Sequence, residues 1–505
     1  MVDGQLIFVS DLEGCLDTSL AGKKQSKVVC SKDFFDKIDT FLSKKIYNKV
    51  AFLGDYFDKG NDFIYTIKRI IELYEKYNLL NNQKKVHIIL GNRDINKLRL
   101  FYELDNKEIK IEKNKINSTI TNQLTSSKNN KNILWKLWEN FYKLYFENIL
   151  ENKTNSLYNR FKIILANSMG APQSSNKDYL FTFNYFKNIL SNNITEDNIN
   201  FTKLFNYGLI ADYDPDYKVL LSHAGGIGSF LFHNQSYYNS IFEKFIPYNN
   251  NILIYFNNIE IARRELMKKP KGSDIYNGNN IYEILQIING PLKNFINNKD
   301  MSNFFLLQAL GLKPDNVGGD HFVSFVQSCD CVSCKGPINS NIKNKSGKTS
   351  YDEEYKLFLD KLVYLDIKFI SFGHNPICIP IPLIYRRPEN LNIIFIGNDV
   401  SNGYRSENIN TIYKIPLSYI EKERLSNFNV GVGAFKESNN KNMLNSNISD
   451  LPESLKLFKP MIRKWTLNNV PEFNRTNKSI AYTNKDILTF PARDGTGNFK
   501  PAKFK

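Results

Sequence analysis

The feature that most restricts the fold of this chain is a series of short apolar runs, each followed by glycine, aspartate, asparagine or histidine. The runs occupy residues 5–10, 49–53, 86–90, 217–222, 367–372 and 391–396. Short runs of β-branched and aromatic residues with little polar alternation are typical of strands that are covered on both faces. The pattern therefore predicts buried strands with other elements packed on each side.

Amphipathic stretches separate the first three predicted strands. One begins at Ser31, a predicted N-cap, and the other begins near Asn61 or Asp62; both place apolar residues at helical spacing. Strands that alternate with helices indicate an α/β fold with a sheet between helices. The sequence therefore predicts an α/β class for the core.

Two long segments interrupt this core and a third follows it. We predict a domain over residues 1–425 with insertions at about 105–205 and 230–350, the first of them partly helical, and a C-terminal extension over residues 426–505. No run of eighteen apolar residues occurs, so we expect no membrane span. The N-terminus has no basic segment before its apolar part, and the six cysteines do not suggest a disulfide scaffold, which favours a cytoplasmic, reducing location.

The net charge of +16 and the pI near 9.2 favour polyanionic neighbours, including nucleic acid. That signal is weak, because the lysines are spread along the chain. The many Asn, Lys, Ile and Tyr residues are also typical of an AT-rich genome, such as that of a protist or a large DNA virus, so the charge alone does not identify a nucleic-acid surface.

Polar side chains follow every predicted strand at the point where the strand ends. In chain order they are Asp11 and Glu13; Asp55, Asp58 and Lys59; Asn92, Arg93 and Asp94; His223; His374; Asn398 and Asp399. The carboxyl ends of parallel strands converge on one edge of a sheet, where ligands bind in open α/β folds. Carboxylate, amide and imidazole donors without a thiolate suit Mn, Mg, Fe or Zn, and we expect two such cations bridged by one carboxylate.

The motifs GDYFDKG, GNRD, LSHAGG and FGHNP, in this order, resemble those of the calcineurin-like metallophosphoesterases. The resemblance is closest to the branch of Ser/Thr protein phosphatases and diadenosine-tetraphosphatase-like enzymes, and covers about residues 5–105, 215–228 and 365–405. It implies a two-sheet αββα sandwich with helical insertions. It also implies hydrolysis of phosphoester or phosphoanhydride bonds in a phosphoprotein, a nucleotide or a dinucleoside polyphosphate.

The resemblance also implies a role for each matching residue. The metal ligands would be Asp11, Glu13, Asp55, Asn92, His223 and His374, with Asp55 as the bridge, and the residues around the phosphate would be Asp58, Lys59 and Arg93. Glu13 stands where the family has histidine, which makes that half of the site all-oxygen and shifts its preference toward Mg or Mn, with Mn favoured.

Arg93 stands where the family has the histidine that protonates the leaving oxygen. An arginine stays protonated and cannot take over that role, although it can bind phosphate or pair with Asp58. Loss of a general acid lowers the rate about 10²- to 10⁴-fold when the leaving group is poor. The GNRD motif thus indicates either a hydrolase of anhydrides and activated esters or a degenerate member retained as a structural or polyanion-binding protein.

One short stretch contains three cysteines, Cys329, Cys331 and Cys334, and His321 precedes it by eight residues. Three thiolates and an imidazole could form a structural zinc site, but the spacing lacks the second Cys-x-x-Cys of a zinc ribbon. Reduced surface cysteines are the favoured interpretation, and zinc stays open as the alternative.

Overall fold

The strands and helices of the protein were located in a computed structural model. The described residues are 4–12, 32–57, 63–97, 185, 195–223, 279–298, 359–360, 362–373, 383–387, 390–398, 413–422, 428–436, 461–465, 473–474 and 479–480. The strands are β1 (Gly4–Val9), β2 (Lys49–Phe52), β3 (Val86–Ile88), β4 (Ala211–Asp214), β5 (Val219–Ser222), β6 (Phe369–Phe372), β7 (Leu383–Arg387), β8 (Asn390–Gly397), β9 (Tyr413–Lys422), β10 (Phe428–Lys436), β11 (Met461–Trp465), β12 (Phe473–Asn474) and β13 (Ser479–Ile480). The helices are α1 (Lys32–Lys44), α2 (Phe63–Tyr74), α3 (Asn92–Lys97), α4 (Glu196–Tyr207) and α5 (Asn279–Asn298).

All six predicted apolar runs contain a strand, and α1 and α2 begin where the amphipathic stretches begin. A π-helical segment, Glu75–Leu80, continues α2. Among the described helices, none combines the length and the hydropathy needed to cross a bilayer.

The strands form two mixed sheets and one short hairpin. The first sheet has the order β11-β10-β9-β1-β2-β3, with β1, β2 and β3 parallel, and the second has the order β4-β5-β6-β8-β7, with β5, β6 and β8 parallel. Strands β10 and β11, which lie beyond residue 425, pair antiparallel in the first sheet. Strands β12 and β13 pair with each other.

The core lies between the two sheets. Alternate residues of β1, such as Leu6 and Phe8, share one buried cluster with Val219 and Leu221 of β5. On the outer side of the first sheet the ring of Phe52 lies 6.4 Å from that of Phe35 in α1. Inner faces that pack on each other, with a helix outside, confirm the predicted α/β two-sheet sandwich.

Helices α4 and α5 belong to the two predicted insertions; α5 packs on the edge strand β4 of the second sheet, and α4 packs on α2 and α5. Asn289 of α5 accepts backbone N–H groups of Ile210 and Ala211 at 2.7 and 3.3 Å, and donates to the Ala211 carbonyl at 2.9 Å. The Lys293 ammonium donates to the Asn206 and Gly208 carbonyls at the end of α4, and burial lowers its pKa to about 8. The α5 side chains therefore satisfy backbone groups next to the edge strand β4.

A buried group of charged residues, here called the basal cluster, joins strands β2 and β3 of the first sheet to strand β4 of the second. It consists of Lys49, His87, Asp212 and Asp214. The Lys49 ammonium lies 2.6 Å from Asp214, and the His87 ring nitrogens lie 2.7 and 2.9 Å from the carboxylates of Asp212 and Asp214. Each charge in the basal cluster is therefore paired across the sheets.

Candidate metal centre

Three of the predicted ligands meet at the carboxyl ends of parallel strands. Asp11 follows β1, Asp55 follows β2 and His223 follows β5. One donor atom from each residue lies within 4.8 Å of the other two. Because β1 and β2 belong to the first sheet and β5 belongs to the second, packing of the sheets brings these donors together.

Both aspartates have a backbone conformation in the left-handed region, with φ of 51° at Asp11 and 55° at Asp55. This conformation costs about 1 to 3 kcal/mol for a residue other than glycine, and it persists where surrounding contacts enforce it. Here the Asp11 N–H donates to the Gly54 carbonyl at 3.1 Å, and the Ser10 hydroxyl donates to the Asp11 carboxylate. Two of the predicted oxygen ligands, Asp11 and Asp55, therefore lie at strained backbone positions.

Glycines of the motifs allow the strand ends to approach one another closely. A side chain at Gly91 would overlap the backbone and carboxylate of Asp55, and one at Gly373 would overlap Ser10 and the carboxylate of Asp11. Gly54 combines a φ of 92° with close contact to His223. These motif glycines therefore leave room for the acidic side chains.

His223 is fully buried and has a defined orientation. Its Nδ1 lies 2.5 Å from the Leu53 carbonyl, to which it donates, and its Nε2 lies 3.3 Å from Asp55 Oδ1. Burial lowers the pKa of His223, but the nearby charges of Asp55 and Asp11 outweigh burial and raise it to about 10. A divalent cation would compete with the proton on Nε2.

Arg93 contacts the Asp55 carboxylate through both its backbone and its side chain. The Arg93 N–H donates to Asp55 Oδ1 at 3.0 Å, and Nε lies 3.0 Å from Oδ2. From the sequence we expected this guanidinium to bind phosphate or to pair with Asp58. The side chain of Asp58 lies outside the described residues, so its contact with Arg93 stays a prediction.

Asp94 organises the loop that carries Asp55, a role that the sequence analysis did not assign. Its carboxylate accepts the N–H groups of Asp55 and Tyr56 at 2.8 Å each and that of Gly91 at 2.7 Å. Burial and the charge of Asp55 raise the pKa of Asp94, against the N–H groups of Gly91 and Tyr56 and the charge of His223, which lower it. An acidic residue three positions after Gly91, at the start of a helix, has the spacing of a capping box, and that signal could have identified it.

Asn398 is a second organising residue. Its side-chain amide is buried and donates to the Ser371 hydroxyl at 3.0 Å and to the Phe372 carbonyl at 2.9 Å. It thereby joins the ends of β6 and β8, beside Gly373, whose N–H donates to the His223 carbonyl at 2.7 Å.

The other predicted site residues are not placed. Glu13, Asp58, Lys59, His374 and the three cysteines lie outside the described residues, and of Asn92 only the backbone, at the start of α3, is described. For these positions the roles given by sequence stay predictions.

Two carboxylates and an imidazole that lie this close together are suitable ligands for Mn, Fe or Zn. The orientation of His223 fits as well, because a histidine that binds a cation through one nitrogen commonly donates the other to a carbonyl or carboxylate. The described residues therefore fit a divalent cation between Asp11, Asp55 and His223.

Residues 5–256, about half of the chain, match the family model of the calcineurin-like phosphoesterases. The chain contains a calcineurin-like phosphoesterase domain. The match includes Asp11, Asp55 and His223, and supports phosphoester hydrolysis as the general chemistry of the domain. Divalent metals are typical of this family.

No curated protein sequence matches the chain. Two solved structures of a cold-active protein tyrosine phosphatase, one from the psychrophile Shewanella sp. and one of a point mutant, are similar at 10% and 11% identity. Each alignment covers 87% of this chain and 83% of the other, with a TM-score of 0.29, which is too low to carry an argument about fold or activity.

Proposed function

We propose that this chain is a divalent-metal-dependent hydrolase of phosphoanhydrides and activated phosphoesters, with its centre at Asp11, Asp55 and His223. The observation that carries the proposal is the convergence of these three donors from two sheets, with Nε2 of His223 turned toward the carboxylates. A divalent cation bound there supplies a Lewis acid that polarises a phosphoryl oxygen and activates water.

The chain's own residues prepare the site for such a substrate. Asp94 fixes the turn of Asp55, and the Leu53 carbonyl fixes the imidazole of His223. Arg93 brings a permanent positive charge next to Asp55, in a position where it can stabilise the charge of a phosphoryl group.

The preference for anhydrides follows from the chemistry of Arg93. Its guanidinium remains protonated at any pH where the protein is folded, so it cannot deliver a proton to a leaving oxygen. An alkoxide that leaves from phosphoserine needs that proton, whereas a phosphate that leaves from an anhydride is stable without it. We therefore expect a deficit of about 10²- to 10⁴-fold on phosphoserine relative to a good leaving group.

Steady-state rates of the full chain with Mn²⁺ test this proposal on p-nitrophenyl phosphate, a dinucleoside polyphosphate and a phosphoserine peptide. We expect hydrolysis of the first two, slow or no turnover of the peptide, and loss of activity with a chelator. Asp11→Asn is expected to remove activity, while Asp36→Asn, which changes an exposed aspartate of α1, serves as the matched control.

A clear preference for the phosphoserine peptide would overturn the assigned substrate class. A folded chain that binds no cation and hydrolyses none of the three substrates would overturn the enzymatic proposal itself.

A further inference from the structure

Resting on the proposed function, we infer that the Arg93 guanidinium takes the place of one of two cations. The centre then holds a single divalent cation beside a fixed positive charge. This differs from the two-cation arrangement that the sequence motifs predict.

The contacts of the Asp55 carboxylate carry this inference. A carboxylate bridges two cations either with one oxygen for each or with a single shared oxygen, and in this chain both oxygens of Asp55 already have contacts from Arg93. In this chain Oδ2 of Asp55 pairs with Nε of Arg93 at 3.0 Å, whereas Oδ1 faces Nε2 of His223 at 3.3 Å. Asp55 therefore bridges a guanidinium and the His223 side of the centre.

Arg93 is held in this position by its own backbone. Its N–H donates to Asp55 Oδ1 at 3.0 Å, and the neighbouring Asp94 side chain ties Gly91, Asp55 and Tyr56 together. The Arg93 side chain is only 18% exposed, so solvent screens its charge weakly. These hydrogen bonds fix the backbone of the loop, so the Arg93 side chain starts from a defined position next to Asp55.

The charge of Arg93 is also permanent. A lysine or histidine could lose its proton when a cation approached, but a guanidinium does not. A second cation at Asp55 Oδ2 would have to displace the guanidinium or lie beside it, where like charges repel at short range. Both routes weaken the second cation site relative to the first.

Metal stoichiometry tests the inference directly. The full chain is stripped with a chelator, equilibrated with excess Mn²⁺ and passed through a desalting column, and bound Mn is measured by elemental analysis. Electron paramagnetic resonance separately distinguishes an isolated Mn²⁺ ion from an exchange-coupled pair. We expect one Mn²⁺ per chain with the spectrum of an isolated ion.

Removal of the guanidinium should open the second site. Arg93→Ala and Arg93→His are expected to bind two Mn²⁺ per chain and to show the spectrum of a coupled pair. Arg69→Ala is the matched control, because Arg69 pairs with Asp36 and Glu72 on the helical side of the first sheet and should leave the stoichiometry at one. Circular dichroism checks each fold, and Arg93→Gln replaces any variant that does not fold.

Two coupled Mn²⁺ ions in the unchanged chain, or one ion in every folded Arg93 variant, would overturn the inference. If the unchanged chain binds two ions and hydrolyses phosphoanhydrides, only the role of Arg93 fails. If it binds none, the proposed function fails together with this inference.

Discussion

The sandwich contains two buried histidines, His87 and His223, that each lie next to carboxylates. His87 belongs to the basal cluster, where Asp212 and Asp214 occupy both of its ring nitrogens at 2.7 and 2.9 Å. His223 gives one nitrogen to a backbone carbonyl and directs the other toward Asp55 at 3.3 Å. The two histidines are both buried and both lie beside carboxylates, so they differ mainly in the hydrogen-bond partners of their ring nitrogens.

That difference predicts different roles for the same residue type. A histidine with both N–H groups on carboxylates is an imidazolium fixed in an ion-pair network, and no lone pair remains for a cation. A histidine that donates Nδ1–H to a carbonyl keeps the lone pair of Nε2 when it is neutral. We therefore expect changes at His87 to act on stability and changes at His223 to act on metal binding.

The largest effect is expected from His87→Ala. It leaves Asp212 and part of the charge of Asp214 buried without the imidazolium, and removal of one partner from a buried ion pair lowers the free energy of unfolding by about 3 to 5 kcal/mol. Urea denaturation measures this change. Lys76→Ala, which removes an exposed ion pair with Asp39, is the control and should change stability by about 0.2 to 1 kcal/mol.

The proposed difference between His87 and His223 would be wrong if His87→Ala weakened Mn²⁺ binding in the fraction of the protein that stays folded. An unchanged Mn²⁺ affinity together with the lower unfolding midpoint supports a role confined to the fold.

His223→Ala is expected to weaken Mn²⁺ binding more than about 100-fold, because it removes a donor in direct contact with the cation rather than an outer partner of one. Isothermal titration calorimetry measures the affinity, and near-ultraviolet circular dichroism checks that the sandwich is intact. Retention of the affinity in a folded variant would remove His223 from the proposed centre.

Asp94→Ala is expected to have a smaller effect on the same property. It leaves the N–H groups of Asp55, Tyr56 and Gly91 without their acceptor, so the Asp55 loop loosens and Mn²⁺ affinity falls about 10- to 100-fold. Asp94→Asn, which keeps an acceptor oxygen, should recover part of the affinity. Equal metal affinities in all three proteins would show that Asp94 acts on the fold alone.

The smallest effect is the dependence of stability on pH. Burial lowers the pKa of His87, but its hydrogen bonds to Asp212 and Asp214 outweigh burial, so the pKa is raised. Burial raises the pKa values of the two aspartates, but their hydrogen bonds to His87 outweigh burial, so both values are lowered. The contribution of His87 to the free energy of unfolding is complete below about pH 6.5 and declines as the pH rises through the raised pKa. The contribution of the two aspartates is complete above about pH 4 and declines as the pH falls through their lowered pKa values.

The free energy of unfolding should therefore be highest between these limits. Urea denaturation across the pH range measures the profile, and His87→Gln should flatten its alkaline side. An alkaline decline that persists unchanged in His87→Gln would assign it to other groups.

Much of the fold could be predicted from the sequence, because strands that are covered on both faces have nearly continuous apolar sequences. The six runs correspond to β1, β2, β3, β5, β6 and β8. Strands β9 and β10, which extend the first sheet past β1, have polar residues and glycines between their apolar ones and were not predicted. Strand β9 pairs with β1 and β10 pairs with β9, so both depend on an edge that only the folded sheet provides.

The sequence by itself determined which polar residues stand at the strand ends, because motif order follows strand order along the chain. It placed Asp11, Asp55 and His223 among the candidates. Only the tertiary structure decided how their atoms pair: Arg93 with both oxygens of Asp55, Nδ1 of His223 with Leu53, and Asp94 with three N–H groups. Such contacts join residues from separate strands, so they depend on strand register and on the packing of two sheets, which local periodicity does not encode.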